Sequence, residues 1–309
     1  MNEFAIIEHF FNASSIKRKD VVLGIGDDCA IVQPPPDQEL LITTDTLVSG
    51  VHFLPDMAAS DIGFKSLAVN LSDLAAKGAE PAWMTLALTL PKNDETWLKN
   101  FSTGLFELAN RYHVQLIGGD LTKGPLSITI QAMGFAPKNQ SLRRSNAKPG
   151  DLIYVSNTLG DAALGLKNSM TIAKTYQDFL IARHCRPEPR IELGKQLRDI
   201  AHASIDISDG LAADLGHILN MSHVGATVYV DRLPLSNALL ASVSREEGIA
   251  LALNGGDDYE LCFTVAPDKA HLLNTPYTCI GKITNQPGLD LRYQDEKKYN
   301  GTQAGYKHF

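Results

Sequence analysis

The sequence predicts an α/β protein, α+β in the detail of its sheets, built as two domains. Three observations carry that reading. The chain has 309 residues, about twice the roughly 150 residues of an ordinary domain. Strand-like and helix-like patterns alternate in both halves. A polar, basic stretch bearing Pro and Gly, "PKNQSLRRSNAKPGD" from Pro137 to Asp151, separates them. The predicted domains are 1–137 and 150–309.

The elements follow in order. "MNEFAIIEHFFNASSIK" places Phe4, Ile7, Phe10 and Phe11 on one helical stripe interrupted by Glu3 and Glu8. With no basic leader and no small-residue cleavage site, it reads as an amphipathic surface helix and not a signal peptide. "LLITTDTLVSGV" (Leu40–Val51) is a strand that ends in hydroxyls and an acid. "DIGFKSLAVNLSDLAAKGA" (Asp61–Ala79) is a helix with Asp61 at its start and Gly78 as its stop. "PAWMTLALTLP" is a strand between prolines, and "DETWLKNFSTGLFELANRYH" a helix with apolar residues at every third or fourth place. "VQLIGGDL" is a strand breaking into a turn; "LSITIQAMGFA" is a strand with half-exposed alternation. Beyond the connection come the strand "LIYVS", the turn "NTLGD" and a helix from Asp161. "RPEPRIELGKQLRDIA" is an ordered loop leading into a helix. "ASIDISDGLAADLGHILNMS" is strand, acidic turn, helix. "GATVYVDRLPL" is a strand, and "IALALNGGDDYELCFTV" an apolar stretch, a Gly-Asp turn and a strand. "NLSDLAA" and "DISDGLAA", with "IGGD" and "NGGD" further on, echo one another and hint at a shared architecture in the two halves.

Composition narrows the function. The formal net charge is −7, which argues against a nucleic acid or an anionic membrane surface as partner, since both need a basic face. No apolar run approaches the roughly 18 residues of a membrane span. Cys29, Cys185, Cys262 and Cys279 show neither C-x-x-C nor zinc spacing, so reduced, mostly buried thiols of a cytoplasmic protein are expected.

The acids carry the chemistry. "LGIGDDCAIV" sets Asp27 and Asp28 between apolar runs, and further acidic turns hold Asp45, Asp73, Asp120, Asp206 with Asp209, and Asp257 with Asp258. Any one of them is explained as a turn or helix cap. Together they exceed what capping needs, and clustered carboxylates repel unless a cation compensates. Mg²⁺ suits oxygen donors and commonly takes one or two carboxylates plus substrate phosphates. The pattern points to a polyphosphate site with several Mg²⁺ ions. Neither the G-x-x-x-x-G-K-[ST] loop nor the protein-kinase motif set is present.

In order along the chain stand "LGIGDDCA", "TTDTLVSGVHF", "AVNLSDLAAKGAEP", "LIGGDLTKGPLSITI", "RRSNAKPGD", "DISDGLAADLGHI", "GGDDYELCFT" and "GYKHF". Together they resemble the thiamine-monophosphate kinases, within a superfamily that includes aminoimidazole ribonucleotide synthetase and selenophosphate synthetase. The resemblance implies a homodimer whose N-terminal domains contribute strands to a shared β-barrel, with a C-terminal α/β domain. It implies in-line transfer from ATP to thiamine monophosphate with Mg²⁺. Asp28, Thr43, Thr44, Asp45, Asp73, Asp120, Asp206 and Asp209 would hold the ions. Gly119, Asp120, Arg144, Ser208 and Tyr112 would contact the nucleotide, with Asp209 and Arg144 closest to the chemistry. His52 and Glu260 would contact thiamine monophosphate, and Phe309 or Tyr306 would stack on its rings. Two departures stand out: "GGDDYE" where the family has "GGEDYE", and "GYKHF" where it has "GYDHF". A ligase or cyclase of the same superfamily and a non-catalytic nucleotide sensor are the competing readings.

Overall fold

The computed structural model describes residues 2–12, 16–167, 174–273, 277–301 and Gly305. They group into two compact units, Met1–Leu74 with Ala79–Ser141, and Ala75–Gly78 with Leu142–Phe309.

The first unit opens with α1 (Glu3–Ile6), capped by the Asn2 side chain and widened into a π turn over Ile7–Phe11. That turn resets the predicted stripe: Ile6, Phe10 and Phe11 are buried, while Phe4 is 79% exposed. Strands β1 (Val21–Leu23) and β2 (Ile31–Val32) pair antiparallel, and the Gly-Ile-Gly-Asp-Asp loop joins them. After β3 (Gln38–Val48) come α2 (Ala59–Ala76), β4 (Glu80–Leu90), α3 (Glu95–Arg111), β5 (Gln115–Lys123) and β6 (Ser127–Pro137). The sheet order is β3-β6-β4-β5, so β3 and β5 are its edges. Trp83, Met133 and Phe135 pack in one buried cluster with Val21 and Val32 of the β1–β2 ribbon, and the Trp83 indole donates to Asp20 (2.9 Å). Among the described residues this sheet is open and forms no closed barrel.

The segment after Ile117 departs from the sequence expectation. No turn forms at "GGD"; the strand runs on, pairing Gly118, Gly119 and Asp120 in parallel with Thr85, Leu86 and Ala87. Gly119 adopts φ +154°, and a Cβ there would lie 1.9 Å from the Leu86 carbonyl oxygen. The glycine serves close strand approach, not a chain reversal.

The second unit contains β7 (Leu152–Ser156), α4 (Asp161–Lys167), α5 (Lys174–Cys185), α6 (Ile191–Leu197), β8 (Ala201–Asp206), α7 (Leu211–Ser222) and β9 (Gly225–Tyr229). It continues with α8 (Asn237–Ser242), α9 (Arg245–Asn254), β10 (Leu261–Val265), β11 (Tyr277–Thr284) and β12 (Gly288–Arg292). Its six strands run β12-β9-β11-β7-β10-β8. Ile153, Val155, Ile205, Leu215, Ile218, Val228 and Cys262 lie in its core. Every β10 residue is buried, as a near-continuous apolar strand covered on both faces requires. The echo between the halves does not correspond to equivalent structure: Asp73 lies inside α2, whereas Asp209 lies in the turn before α7.

Candidate active site

In the first unit, alternation along β3 sorts the predicted ligands. Thr43 and Asp45 share the half-buried face, while Thr44 and Thr46 point to the exposed one. The Thr43 hydroxyl donates to the Asp73 carboxylate of α2. Burial, and then the Asp73 charge beside it, push the Asp45 carboxyl up to about 6. Asp73 lies close enough to raise Asp45, and the donors gathered here are all oxygens. That set fits a hard divalent cation. Thr44 does not join them through its side chain; its hydroxyl accepts from Gln131 Nε2 (3.3 Å).

Asp120 stands apart. Asp45 is level with Ile130, Leu86 and Gly119 across the sheet, and Asp120 lies one residue further along β5. Three strand spacings separate the two edges, about 14 Å, too far for both carboxylates to hold one ion. Asp28 is exposed on the β1–β2 connection, where its amide donates to Asp27 Oδ1 (2.7 Å). Among the described residues no three His, Cys, Asp or Glu side chains form a ready-made metal cage. The arrangement offers a carboxylate pair that phosphate oxygens or water must complete. His52 follows β3, and its Nδ1 accepts from the Val48 amide (3.0 Å). That bond places the proton of the neutral ring on Nε2. Tyr112 ends α3, its amide donating to the Leu108 carbonyl. A cavity of about 240 Å³ beside the acidic loop is lined by Phe11, Lys17, Val22, Gly24, Ile25 and Gln115 among others, none of them a predicted site residue.

In the second unit the acidic turn follows β8. Asp206 is buried at the strand's end opposite Leu261. The turn is laced to the "GGDDYE" segment by the Asp257 amide on the Ser208 carbonyl (2.9 Å), the Tyr259 amide on Ile207 (2.8 Å) and the Ile207 amide on Glu260 (2.8 Å). Two motifs about fifty residues apart thus form one surface. Gly305, the described residue of "GYKHF", lies against Ala213 and the Asp209 carbonyl; Tyr306, Lys307 and Phe309 lie outside the described residues. Arg144 is held elsewhere: its carbonyl accepts from Ser222 Oγ (2.7 Å) at the far end of α7, a twelve-residue helix about 18 Å long. Its Nε is buried without a hydrogen-bond partner among the described residues.

Glu260 has a different occupation from the one expected. It is 0% exposed, and both carboxylate oxygens are taken. Arg190 binds them at 2.6 and 2.5 Å, Arg183 at 2.9 Å, Ser156 Oγ at 2.6 Å and Asn157 Nδ2 at 3.1 Å. A carboxylate so neutralised is no free partner for a thiazolium cation; it orders its neighbours instead. Asp161 joins the same network through Thr158, Ser236 and Arg183. Asp258 accepts from the Gly160 amide (2.7 Å), and burial pushes it up to about 8. The sequence reading missed Arg183 and Arg190. The basic, proline-flanked "RPEPR" was a signal, but their partner lies 77 and 70 residues away.

Two family models match the chain, AIR synthase related protein, N-terminal domain, over residues 26–136, and AIR synthase related protein, C-terminal domain, over 148–294. The thiamine-monophosphate kinase of Escherichia coli K12 is 51% identical over 99% of this chain and 98% of its own length. The chain belongs to the thiamine-monophosphate kinase family. The structure agrees: a thiamine-monophosphate kinase from Stenotrophomonas maltophilia K279a superposes with TM-score 0.87 at 47% identity, covering 97% of this chain and 98% of that one. A second family structure, AaThiL complexed with AMPPCP and TMP, matches with TM-score 0.80 at 32% identity over 99% and 97%.

Proposed function

We propose that the chain transfers the γ-phosphoryl group of ATP to the phosphate of thiamine monophosphate, giving thiamine diphosphate and ADP, the last step in making that cofactor. One observation carries the reading: end-to-end likeness to a family whose member AaThiL was solved with AMPPCP and TMP. We read these two as an ATP analogue and thiamine monophosphate.

Both substrates are anions and the chain is acidic. Mg²⁺ would be held by Asp45, Asp73 and Thr43 in the first unit, and by Asp206 and Asp209 in the second, with Asp28 and Asp120 serving further ions. It would supply the positive charge that lets two phosphates approach in line. Thr44 would reach an ion beside Asp45 only through its main chain. The residues themselves bind and orient. Arg144, whose Nε is buried with no hydrogen-bond partner among the described residues, would clamp one phosphate as a bidentate donor. Ser208 would donate to another from the opposite end of α7, while Gly119, Asp120 and Tyr112 would line the nucleotide. His52, with its proton on Nε2, would donate to thiamine monophosphate. The thiazolium would meet the surface made by the acidic turn and the "GGDDYE" loop, where Glu260 acts through Arg183 and Arg190. Phe309 or Tyr306 would stack on its rings.

A homodimer belongs to the same proposal. Edge strand β3 exposes Leu40 (41%) and Ile42 (56%), and the β1–β2 ribbon of the same unit exposes Val22 and Ile31. An exposed apolar edge of this kind invites a second sheet, and a shared barrel would cover it. A reducing, cytoplasmic setting belongs to the same proposal; of the cysteines, Cys262 is buried, Cys185 and Cys279 are half-buried and Cys29 is exposed. No described helix is long and apolar enough to cross a membrane.

The deciding assay incubates the chain with ATP, Mg²⁺ and thiamine monophosphate and resolves products by chromatography. Thiamine diphosphate and ADP in equal amounts are expected. ATP turnover only with a purine precursor would favour the cyclase reading, and nucleotide binding without turnover would favour the sensor.

A further inference from the structure

We infer that Asp214 is the positioning residue of the nucleotide site, the side chain that fixes the Ser208–Asp209–Gly210 turn in the shape its phosphate and cation contacts need. The inference rests on the proposed kinase reading of that turn.

Asp214 sits in the first turn of α7 and is 3% exposed. Its Oδ2 accepts from the amides of Ser208 (3.0 Å), Asp209 (3.0 Å) and Gly210 (3.1 Å). Three successive N–H groups converging on one point make the concavity that elsewhere receives an anion. Here the chain fills it with its own carboxylate. A helix cap satisfies one or two amides; this single oxygen satisfies three, all ahead of the helix. It also closes the account of the turn, since the Ile207 amide is already taken by Glu260.

Nothing else holds these three donors in the described structure. The carbonyl side of the turn is tied to the "GGDDYE" loop through Ser208 and Ile207. Gly210, at φ +112°, is wedged where a Cβ would lie 2.8 Å from the Asn254 carbonyl carbon. Removing Asp214 would leave three buried or half-buried amides pointing at one another's space, and the turn would open to separate them. Since the amides are occupied from within, Ser208 and Asp209 must meet the nucleotide by their side chains, and only a fixed turn presents those two together. Asp214 itself touches neither substrate.

The test compares the full chain with Asp214→Ala and Asp214→Asn. Binding of AMPPCP with Mg²⁺ is read by calorimetry, the two Michaelis constants by turnover, and the amides of 208–210 by hydrogen exchange. Asp214→Ala should accelerate exchange at those amides and weaken AMPPCP binding about tenfold or more, with KM for thiamine monophosphate changed less than about twofold. Asp214→Asn keeps a side-chain oxygen and should recover AMPPCP affinity to within about threefold of the parent chain. Parent-like AMPPCP affinity in Asp214→Ala, with the amides exchanging fast, would overturn the inference and leave a plain helix cap. So would equal loss of both substrates in both variants. If Asp214→Ala does not fold, Asp214→Glu, whose longer arm displaces the oxygen, takes its place under the same two outcomes. Failure of the parent chain to make thiamine diphosphate while AMPPCP binding still follows Asp214 would sink the kinase reading and not this one.

Discussion

Asp45 is where a single side chain carries most consequence. Its carboxyl rises from 3.8 to about 6 on folding because of burial and of Asp73. Between those values the unfolded chain releases the proton while the folded chain keeps it. The folded state therefore binds more protons, and metal-free stability falls as pH rises through that window, by up to about 3 kcal/mol. Above it, added Mg²⁺ should restore stability by binding the folded state alone. Melting in chelator at pH 5 and pH 7.5, then with Mg²⁺ at pH 7.5, reads this directly; a melting temperature indifferent to all three conditions would contradict it. Asp45→Asn should lower kcat by about a hundredfold or more while leaving the metal-free melting temperature unchanged or higher, because an acid that repels its neighbour is gone. Equal losses in turnover and stability would mark Asp45 as structural. His52→Ala should raise KM for thiamine monophosphate with little effect on ATP; a fall in ATP affinity would move His52 to the nucleotide side. The acids were legible because strand-ending Asp with Thr, Ser and Gly repeats along the sequence. What Glu260 does was not legible, because its partners Arg183, Arg190 and Ser156 come from elements 70 to 104 residues away.

At the scale of elements, the Glu260 network ties the start of β10 to the end of β7, the last turn of α5 and the N-terminus of α6. Glu260→Ala leaves two arginines without their carboxylate and should destabilise the chain by about 3–5 kcal/mol, measured by urea unfolding. A loss below about 1 kcal/mol would mean that solvent already screens the cluster. Most helices and strands were legible from periodicity: α3, β4 and β6 stand within two residues of their expected ends, and α2 within three. Three features were not. The run from Ile249 reads as a continuous apolar stretch, yet it forms the end of α9, because length and flanks decide helix against strand where periodicity is weak. Gly118 and Gly119 read as a chain break, yet their lack of side chains lets β5 pass close to β4. The Phe4 stripe failed because the π turn after Ile6 rotates the following residues relative to an α-helix.

At the scale of the whole molecule, each unit carries acids of its own, the Asp45–Asp73 pair at β3 in the first and the acidic turn joined to Asp214 and the "GGDDYE" loop in the second. Two-domain organisation was legible from length and from the basic, Pro/Gly-bearing connection. Which carboxylates meet was not, because side-chain convergence is a property of sheet order and crossover, not of spacing along the chain. The exposed apolar edge of β3 leads to a prediction at this scale: Ile42→Lys should convert a dimer to a monomer in sedimentation, whereas a chain that sediments as a monomer from the outset would remove the proposed barrel. The central claim is that scattered aspartates hold divalent cations so that two anions can react. Titration of Mg²⁺ into the chain saturated with AMPPCP and thiamine monophosphate tests it most directly, with Asp45→Asn as the comparison. Tight Mg²⁺ binding that weakens at least about tenfold in the variant, one ligand's worth of affinity, is the predicted result. Mg²⁺ binding of equal strength in both chains would contradict the account.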